Sequence, residues 1–360
     1  MIRGTVAYAK GRSHIRSGKS NEDSLCIMPL EDEGLYIAAV ADGVGSCKHA
    51  EGASTIAAES VAHFLRENFP IVDASPLCIK SLLRLAMNKA LNAIYCEAAK
   101  NKDPTMRDYQ TTLMVVVYHY ESRRTYFAHV GDGCIFILKR DGTFTPLTTR
   151  QQTAESYVIP LSAGVDFYEI AELTDDYASL VICTDGVADK IRNAAVEGGI
   201  YVPLMMLFDP YVVQYLKRVN VNYSKLFAEP DSISRHIIHN AIYRALRKEY
   251  GFKKATALNI VSSIKQGALI ETLKSIQDDI TAVCIYNAEI LPKAREPKYY
   301  MEPDWKNIYA KRRKLLYPDV DTHTNEENAI VSNTPKGSVT PIRKIKLALG
   351  KLLKKVKKDA

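Results

Sequence analysis

LYIAAVADGVG, residues 35–45, joins an apolar run to an Asp-Gly pair. Short, bearing β-branched and aromatic residues and closed by Asp42-Gly43, it reads as a strand that delivers a carboxylate at its end. The same pattern returns downstream. YFAHV runs into Gly131-Asp132-Gly133, SLVICT into Asp185-Gly186, and Asp278-Asp279 precede ITAVCIY, while Asp23 lies in Asn21-Glu22-Asp23-Ser24. Strands are accordingly predicted over 35–41, 112–118, 125–130, 134–139, 179–184 and 280–286. Arg140-Asp141-Gly142-Thr143 sets Asp-Gly between two apolar runs, the pair that accepts positive φ in a tight hairpin, so antiparallel pairing is expected.

Between these strands, Ala57, Val61, Phe64 and Leu65, then Ile79, Leu82, Leu83, Ala86, Ala90 and Ile94, recur at helical spacing and predict two amphipathic helices laid on a sheet. Residues 195–270 change character. Ile233, Ile237, Ile238, Ala241, Ile242, Ala245 and Leu246 form a helical stripe with Ser232 or Asp231 as N-cap, which reads as a helical insertion. Pro292, Pro297 and Pro303 then break the pattern. The expected organisation is a domain over 1–290, a polar linker over 291–341 and a basic amphipathic tail over 342–360.

The chain has 360 residues, 47% of them hydrophobic and 25% charged, which excludes a mainly disordered or collagenous protein. Its apolar runs fall far short of the roughly 18 residues of a membrane-spanning helix. The N-terminus lacks the pattern of a secretory signal, so a cytoplasmic location is expected. The 7 cysteines are scattered without a Cys-x-x-Cys pair and read as reduced packing residues. The net charge of +7 belongs to the tail: residues 335–360 hold nine Lys/Arg against Asp359, giving +8 and leaving −1 for the rest. There Ile342, Ile345, Leu349, Leu352, Leu353 and Val356 share helical spacing amid lysines. That is either a solvated tail or a helix that binds anionic lipid, nucleic acid or an acidic partner.

The acids at strand ends carry the chemistry. One Asp-Gly is ordinary turn chemistry, and Asp141-Gly142 is left as a turn. Several carboxylates converging from different strands need protons, cationic partners or a metal. Oxygen-only donors suit hard cations such as Mg²⁺ or Mn²⁺. His129, inside a strand run, is expected to be a satisfied sheet residue, and His49 to be exposed.

These blocks, with Gly18-Lys19-Ser20-Asn21-Glu22-Asp23-Ser24, Val40-Ala41-Asp42-Gly43-Val44-Gly45, Thr111-Thr112, His129-Val130-Gly131-Asp132, Cys183-Thr184-Asp185-Gly186-Val187 and Asp278-Asp279-Ile280-Thr281, resemble the metal-dependent Ser/Thr protein phosphatases of type two C, the PPM family, in its bacterial branch. The resemblance spans residues 1 to about 290. It implies an α+β fold, a four-layer α-β-β-α sandwich of two antiparallel sheets. It also implies metal ligands: Asp42 bridging two ions, the Gly43 carbonyl, Asp185 and Asp278 on one ion, Glu22 and Asp23 acting through waters, and Asp132 sharing a third ion with Asp185. Asp279 stands where the family has Asn.

The activity that the resemblance implies is hydrolysis of phosphoserine and phosphothreonine in proteins by a water that Mn²⁺ or Mg²⁺ activates, with Asp42 and Asp185 as catalytic residues and a Ser/Thr kinase in opposition. Gly18 occupies the position of the family's phosphate-binding Arg, so that grip passes to Lys19, Arg16 or His14. Val44 replaces a His of some members, and Gly133-Cys134 the usual Ser-Arg. Two other functions remain open: a catalytically weak phosphatase-fold module that binds phosphoprotein or partners, and hydrolysis of small phosphate esters.

Overall fold

An apolar run with no alternation suits a strand covered on both faces, and all six predicted runs become central strands. The computed structural model describes residues 2–70, 74–103, 105–173 and 176–316. Its strands are β1 (Ile2–Ala9), β2 (Asp23–Leu30), β3 (Leu35–Asp42), β4 (Leu113–His119), β5 (Arg124–Val130), β6 (Cys134–Lys139), β7 (Phe144–Pro146), β8 (Glu169–Leu173), β9 (Tyr177–Cys183) and β10 (Ile280–Asn287). One sheet has the order β1-β10-β9-β6-β7 and the other β2-β3-β4-β5-β8. Every pairing in them is antiparallel. At the β6–β7 hairpin Gly142 has φ +84°, and the Thr143 N–H donates to Asp141 Oδ1 at 2.9 Å, as a turn requires.

Strand alternation divides the core. Tyr36, Ala38 and Val40 of β3 face inward and meet Ile135, Ile182 and Val283 of the opposite sheet. Ile37, Ala39 and Ala41 face outward. The helices follow as α1 (Arg12–Ser17), α2 (Ala50–Asn68) and α3 (Pro76–Lys100), and the last two cover that outer face with Val61, Leu65, Leu83 and Met87. The start of α3 is written locally: Ser75 accepts from the Cys78 N–H and Pro76 takes the first helical position. Leu83 is fully buried, so truncation to Ala would cost about 2–5 kcal/mol.

On the far side, α4 (Asp185–Ile191), α5 (Val202–Met205), α6 (Pro210–Arg218), α7 (Tyr223–Ala228), α8 (Arg235–Arg244), α9 (Lys254–Gln266) and α10 (Leu269–Lys274) pack residues such as Leu226, Ile242 and Ile260 against Phe136, Val181 and Ala282. The layers are therefore helix, sheet, sheet, helix, the expected sandwich.

Some details differ from the sequence reading. α8 begins at Arg235 after Ser234, because Pro230–Ser232 forms a separate 3₁₀ turn. Packing also continues past 290: Tyr300 is fully buried among Tyr250, Phe252 and Tyr299. There the prolines shape a short turn, Pro297–Tyr300, before α11 (Trp305–Leu316). The tail at 342–360 and the linker from 317 to 341 lie outside the described residues. Among those described, no helix is long and apolar enough to cross a membrane.

Candidate metal centre

Pairing of β2 with β3 sets Asp23 opposite Asp42. The backbone of Asp42 is then fixed from β4's leading edge. Its N–H donates to Thr112 Oγ1 at 3.0 Å, and its carbonyl accepts from Thr111 Oγ1 at 2.9 Å and the Thr112 N–H at 2.8 Å. The Gly43 N–H donates to the Glu22 carbonyl at 3.0 Å, and a Cβ at Gly43 would fall 2.4 Å from the Ala50 carbonyl oxygen, so only glycine fits.

Asp132 follows β5 through Gly131, whose φ of +124° and 2.5 Å clearance to the Thr112 side chain both demand glycine. Asp185 opens α4 directly after β9. These strand ends bring one carboxylate oxygen each from Asp42, Asp132 and Asp185 within 4.8 Å of one another.

Protein donors at this cluster are few. Gln152 Nε2 donates to Asp132 Oδ2 at 3.0 Å, and Arg150 stands 3.9 Å from the same oxygen while pairing with Asp189 at 3.1 Å. The Arg192 guanidinium donates to the carbonyls of Asp132 and Gly133 at 3.0 and 3.1 Å. Asp42 and Asp185 make no ion pair with a Lys, Arg or His among the described residues.

Burial pushes the carboxyl of Asp42 well above the usual range, and Asp23, Asp185, Asp278 and Asp132 push it further. Asp185 rises to about 7 through burial and then Asp132 and Asp278. Asp132 is raised by burial, opposed by Gln152 and Arg150. Burial likewise raises Asp23 to about 8, although the Thr184 hydroxyl donates to its Oδ2 at 2.9 Å. Carboxylates this close resist ionising together, and a hard divalent cation resolves the conflict with donors that are all oxygen. The residues present fit such an ion.

A second group is organised by Asp279, which is nearly fully buried. Its Oδ1 accepts from the Gly11 N–H at 2.6 Å, and its Oδ2 accepts from the Glu22 N–H at 2.6 Å and lies 2.8 Å from His14 Nδ1. Asp278 is exposed beside it, and His14, Asp278 and Asp279 form the other acid-histidine group. Glu22 turns toward Lys19 at 3.2 Å and His14 Nε2 at 3.6 Å. Lys19 also donates to the Gly45 carbonyl at 2.7 Å, and Arg16 to Gln277 Oε1 at 2.8 Å. His49 is exposed and stacked on Tyr109. His129 is buried with Nδ1 at 3.3 Å from Glu169, but its Nε2 has no hydrogen-bond partner among the described residues, so there it is satisfied on one side only.

Sequence reasoning did not find Arg150, Gln152, Asp189 or Arg192, which come from loops and α4 without a pattern of their own. It passed over Asp279 as a substitute for Asn, whereas the fold uses both of its oxygens.

Residues 10–226, more than half of the chain, match the family model described as protein phosphatase 2C. The chain belongs to the protein phosphatase 2C family. Membership makes it a phosphatase of phosphorylated proteins. The matched span contains Asp23, Asp42, Asp132 and Asp185, and ends before Asp278. No curated protein matches the chain. Among solved structures it is similar to the Mycobacterium tuberculosis serine/threonine phosphatase PstP/Ppp, at 17% identity over 79% of this chain and 98% of that one with a TM-score of 0.46. The PstP catalytic domain in complex with two manganese ions gives 18% identity over 79% and 97%, with a TM-score of 0.46. Stp1 from Staphylococcus aureus gives 16% over 80% and 95%, with a TM-score of 0.45. The family model, and not these distant likenesses, settles membership.

Proposed function

We propose that this phosphatase hydrolyses phosphoserine and phosphothreonine in proteins with two Mn²⁺ or Mg²⁺ ions, and a third shared by Asp132 and Asp185. The observation that carries the reading is the approach of Asp42, Asp132 and Asp185 within 4.8 Å with no Lys, Arg or His among the described residues paired to Asp42 or Asp185. In this assignment Asp42, Asp185, Asp278, Asp132 and the Gly43 carbonyl hold metal, and Glu22 and Asp23 act through waters. The chemistry such ions supply is activation of a water for in-line attack on phosphorus and neutralisation of the phosphoryl oxygens.

The chain's own residues supply the positioning. Thr111 and Thr112 fix the backbone of Asp42, and Gln152 fixes the Asp132 carboxylate. Asp279 fixes the Glu22 backbone and the His14 ring. For the substrate phosphate we assign His14, Arg16 and Lys19, and add Arg150 on the Asp132 side. A thiolate route finds no support, since burial raises the Cys134 and Cys183 thiols above their ordinary value.

The test is hydrolysis of a phosphothreonine peptide by the full-length protein with Mn²⁺, then with excess chelator. Turnover that chelator abolishes and Mn²⁺ restores is expected. Turnover indifferent to chelator sinks the reading, and hydrolysis of small esters with no peptide turnover redirects it to a different substrate class. We further propose a Ser/Thr kinase as the opposing activity, a cytoplasmic location, and a tail that attaches the protein peripherally to an anionic partner.

A further inference from the structure

The helical layer outside the first sheet carries a cleft of about 340 Å³, within the range of small-molecule sites and formed by three helices away from the acid cluster. α8 contributes His236, His239 and Tyr243, spaced to share one helical face; α9 contributes Leu258 and Lys265; α6 contributes Tyr215.

Three observations converge on its ligand. First, no carboxylate lines the cleft, whereas two histidines and a lysine do, and Lys265 makes no ion pair among the described residues. Arg244, which does not line the cleft, places its guanidinium 5.1 Å over the Tyr215 ring. Second, His239 is only 6% exposed, lines the cleft, and has no hydrogen-bond partner among the described residues. With the side chain packed and no such partner at its ring, His239 has its hydrogen-bonding capacity open toward the cleft. Burial, then Lys265, His236 and Arg235, push its pKa down to about 4, so near neutral pH the ring is uncharged and offers one N–H donor. Third, two tyrosine rings and an aliphatic wall provide faces for a planar apolar body.

We propose that this cleft is a second ligand site that takes a small anion carrying a planar ring, of the class of a nucleoside monophosphate. The phosphate takes Lys265, His236 and His239 as partners, and the base lies against the tyrosines. A bare anion would leave the rings and the aliphatic wall unused, and a neutral ring the cations.

The experiment is calorimetric titration of the full-length protein with adenosine 5′-monophosphate, in chelator so that the acid cluster holds no metal. Saturable binding with Kd of about 10–500 µM is expected, with adenosine and inorganic phosphate each at least about tenfold weaker. Lys265→Ala removes a cation and Leu258→Glu places a carboxylate in the cleft. Both positions are exposed, so both variants should fold, keep peptide hydrolysis, and bind about tenfold more weakly. Asp42→Asn should bind as the wild type does. Absence of saturation by about 5 mM, unchanged affinity in both cleft variants, phosphate binding as tightly as the nucleotide, or loss of binding in Asp42→Asn would each overturn the proposal. Because the readout is binding without metal, it stands or falls independently of the hydrolytic activity.

Discussion

Asp209 and the trio Asp42, Asp132 and Asp185 are both sets of carboxylates taken out of bulk water, yet the fold treats them in opposite ways. Asp209 begins α6 fully buried and accepts from the Tyr211 N–H at 2.9 Å, the Val212 N–H at 3.3 Å and the Tyr250 hydroxyl. The trio has one amide donor, from Gln152, and one guanidinium at 3.9 Å. A lone buried acid can be satisfied by its own chain. Clustered acids facing each other at strand ends cannot all be, which is why the second arrangement points outward to a cation.

The largest effect should come from breaking the trio. Asp42→Ala and Asp185→Ala should each lower Mn²⁺-dependent turnover of a phosphopeptide by about 10³-fold or more, since each removes an oxygen donor from the site. Circular dichroism should show both folded. Wild-type rates in either variant would mean that the trio is no more functional than Asp209.

A second, smaller effect separates the sets without any substrate. Saturating Mn²⁺ should stabilise the wild type by about 2–3 kcal/mol at a hundredfold excess over Kd, read as a higher melting temperature. Asp42→Ala should lose that gain, and Asp209→Asn should keep it. An equal gain in all three proteins would place the ion elsewhere.

Asp279 sharpens the contrast, being buried next to the site yet satisfied like Asp209. Asp279→Ala strands the Gly11 and Glu22 N–H groups and frees the His14 ring, which should cost about 2–4 kcal/mol in urea unfolding with chelator present. Asp279→Asn keeps one acceptor oxygen and should lose roughly half as much. If Asn and Ala cost the same, it is the charge of Asp279 and not its hydrogen bonds that the fold uses.

Legibility in the sequence followed burial. The six central strands, β3, β4, β5, β6, β9 and β10, were legible because burial on both faces forces continuous apolar runs. The four edges were not. β1 and β2 mix exposed and buried positions, β8 is half-buried throughout, and β7 was announced only by its turn. The site divides similarly. Acids tied to central strand ends could be read with their strands, and a family resemblance ordered them. Arg150 and Gln152 lie in the loop between β7 and β8, where nothing periodic marks them. Asp279 reads in the sequence as a replacement for the family's Asn, and only the fold shows that Gly11 and Glu22, distant in sequence, both need its oxygens.

The smallest effect tests the satisfied side of the comparison through pH. Burial raises Asp209 to about 6 even though Tyr250 and two backbone N–H groups oppose the shift. In the unfolded chain an aspartate titrates near 3.9. With the folded value above the unfolded one, the unfolded state releases this proton first as pH rises, so the residue costs stability progressively between about pH 4 and 6 and reaches its full cost above that. Two units correspond to about 3 kcal/mol. Asp209→Asn keeps an oxygen for the N-cap bonds but cannot ionise. Its stability relative to the wild type should therefore improve from pH 4 to pH 7 by up to about 3 kcal/mol, measured as the difference of two unfolding curves so that other acids cancel. A difference that moves the other way would mean that the three donors stabilise the carboxylate more than burial penalises it. Asp209 would then be a charge the chain fully compensates, at the furthest remove from the trio.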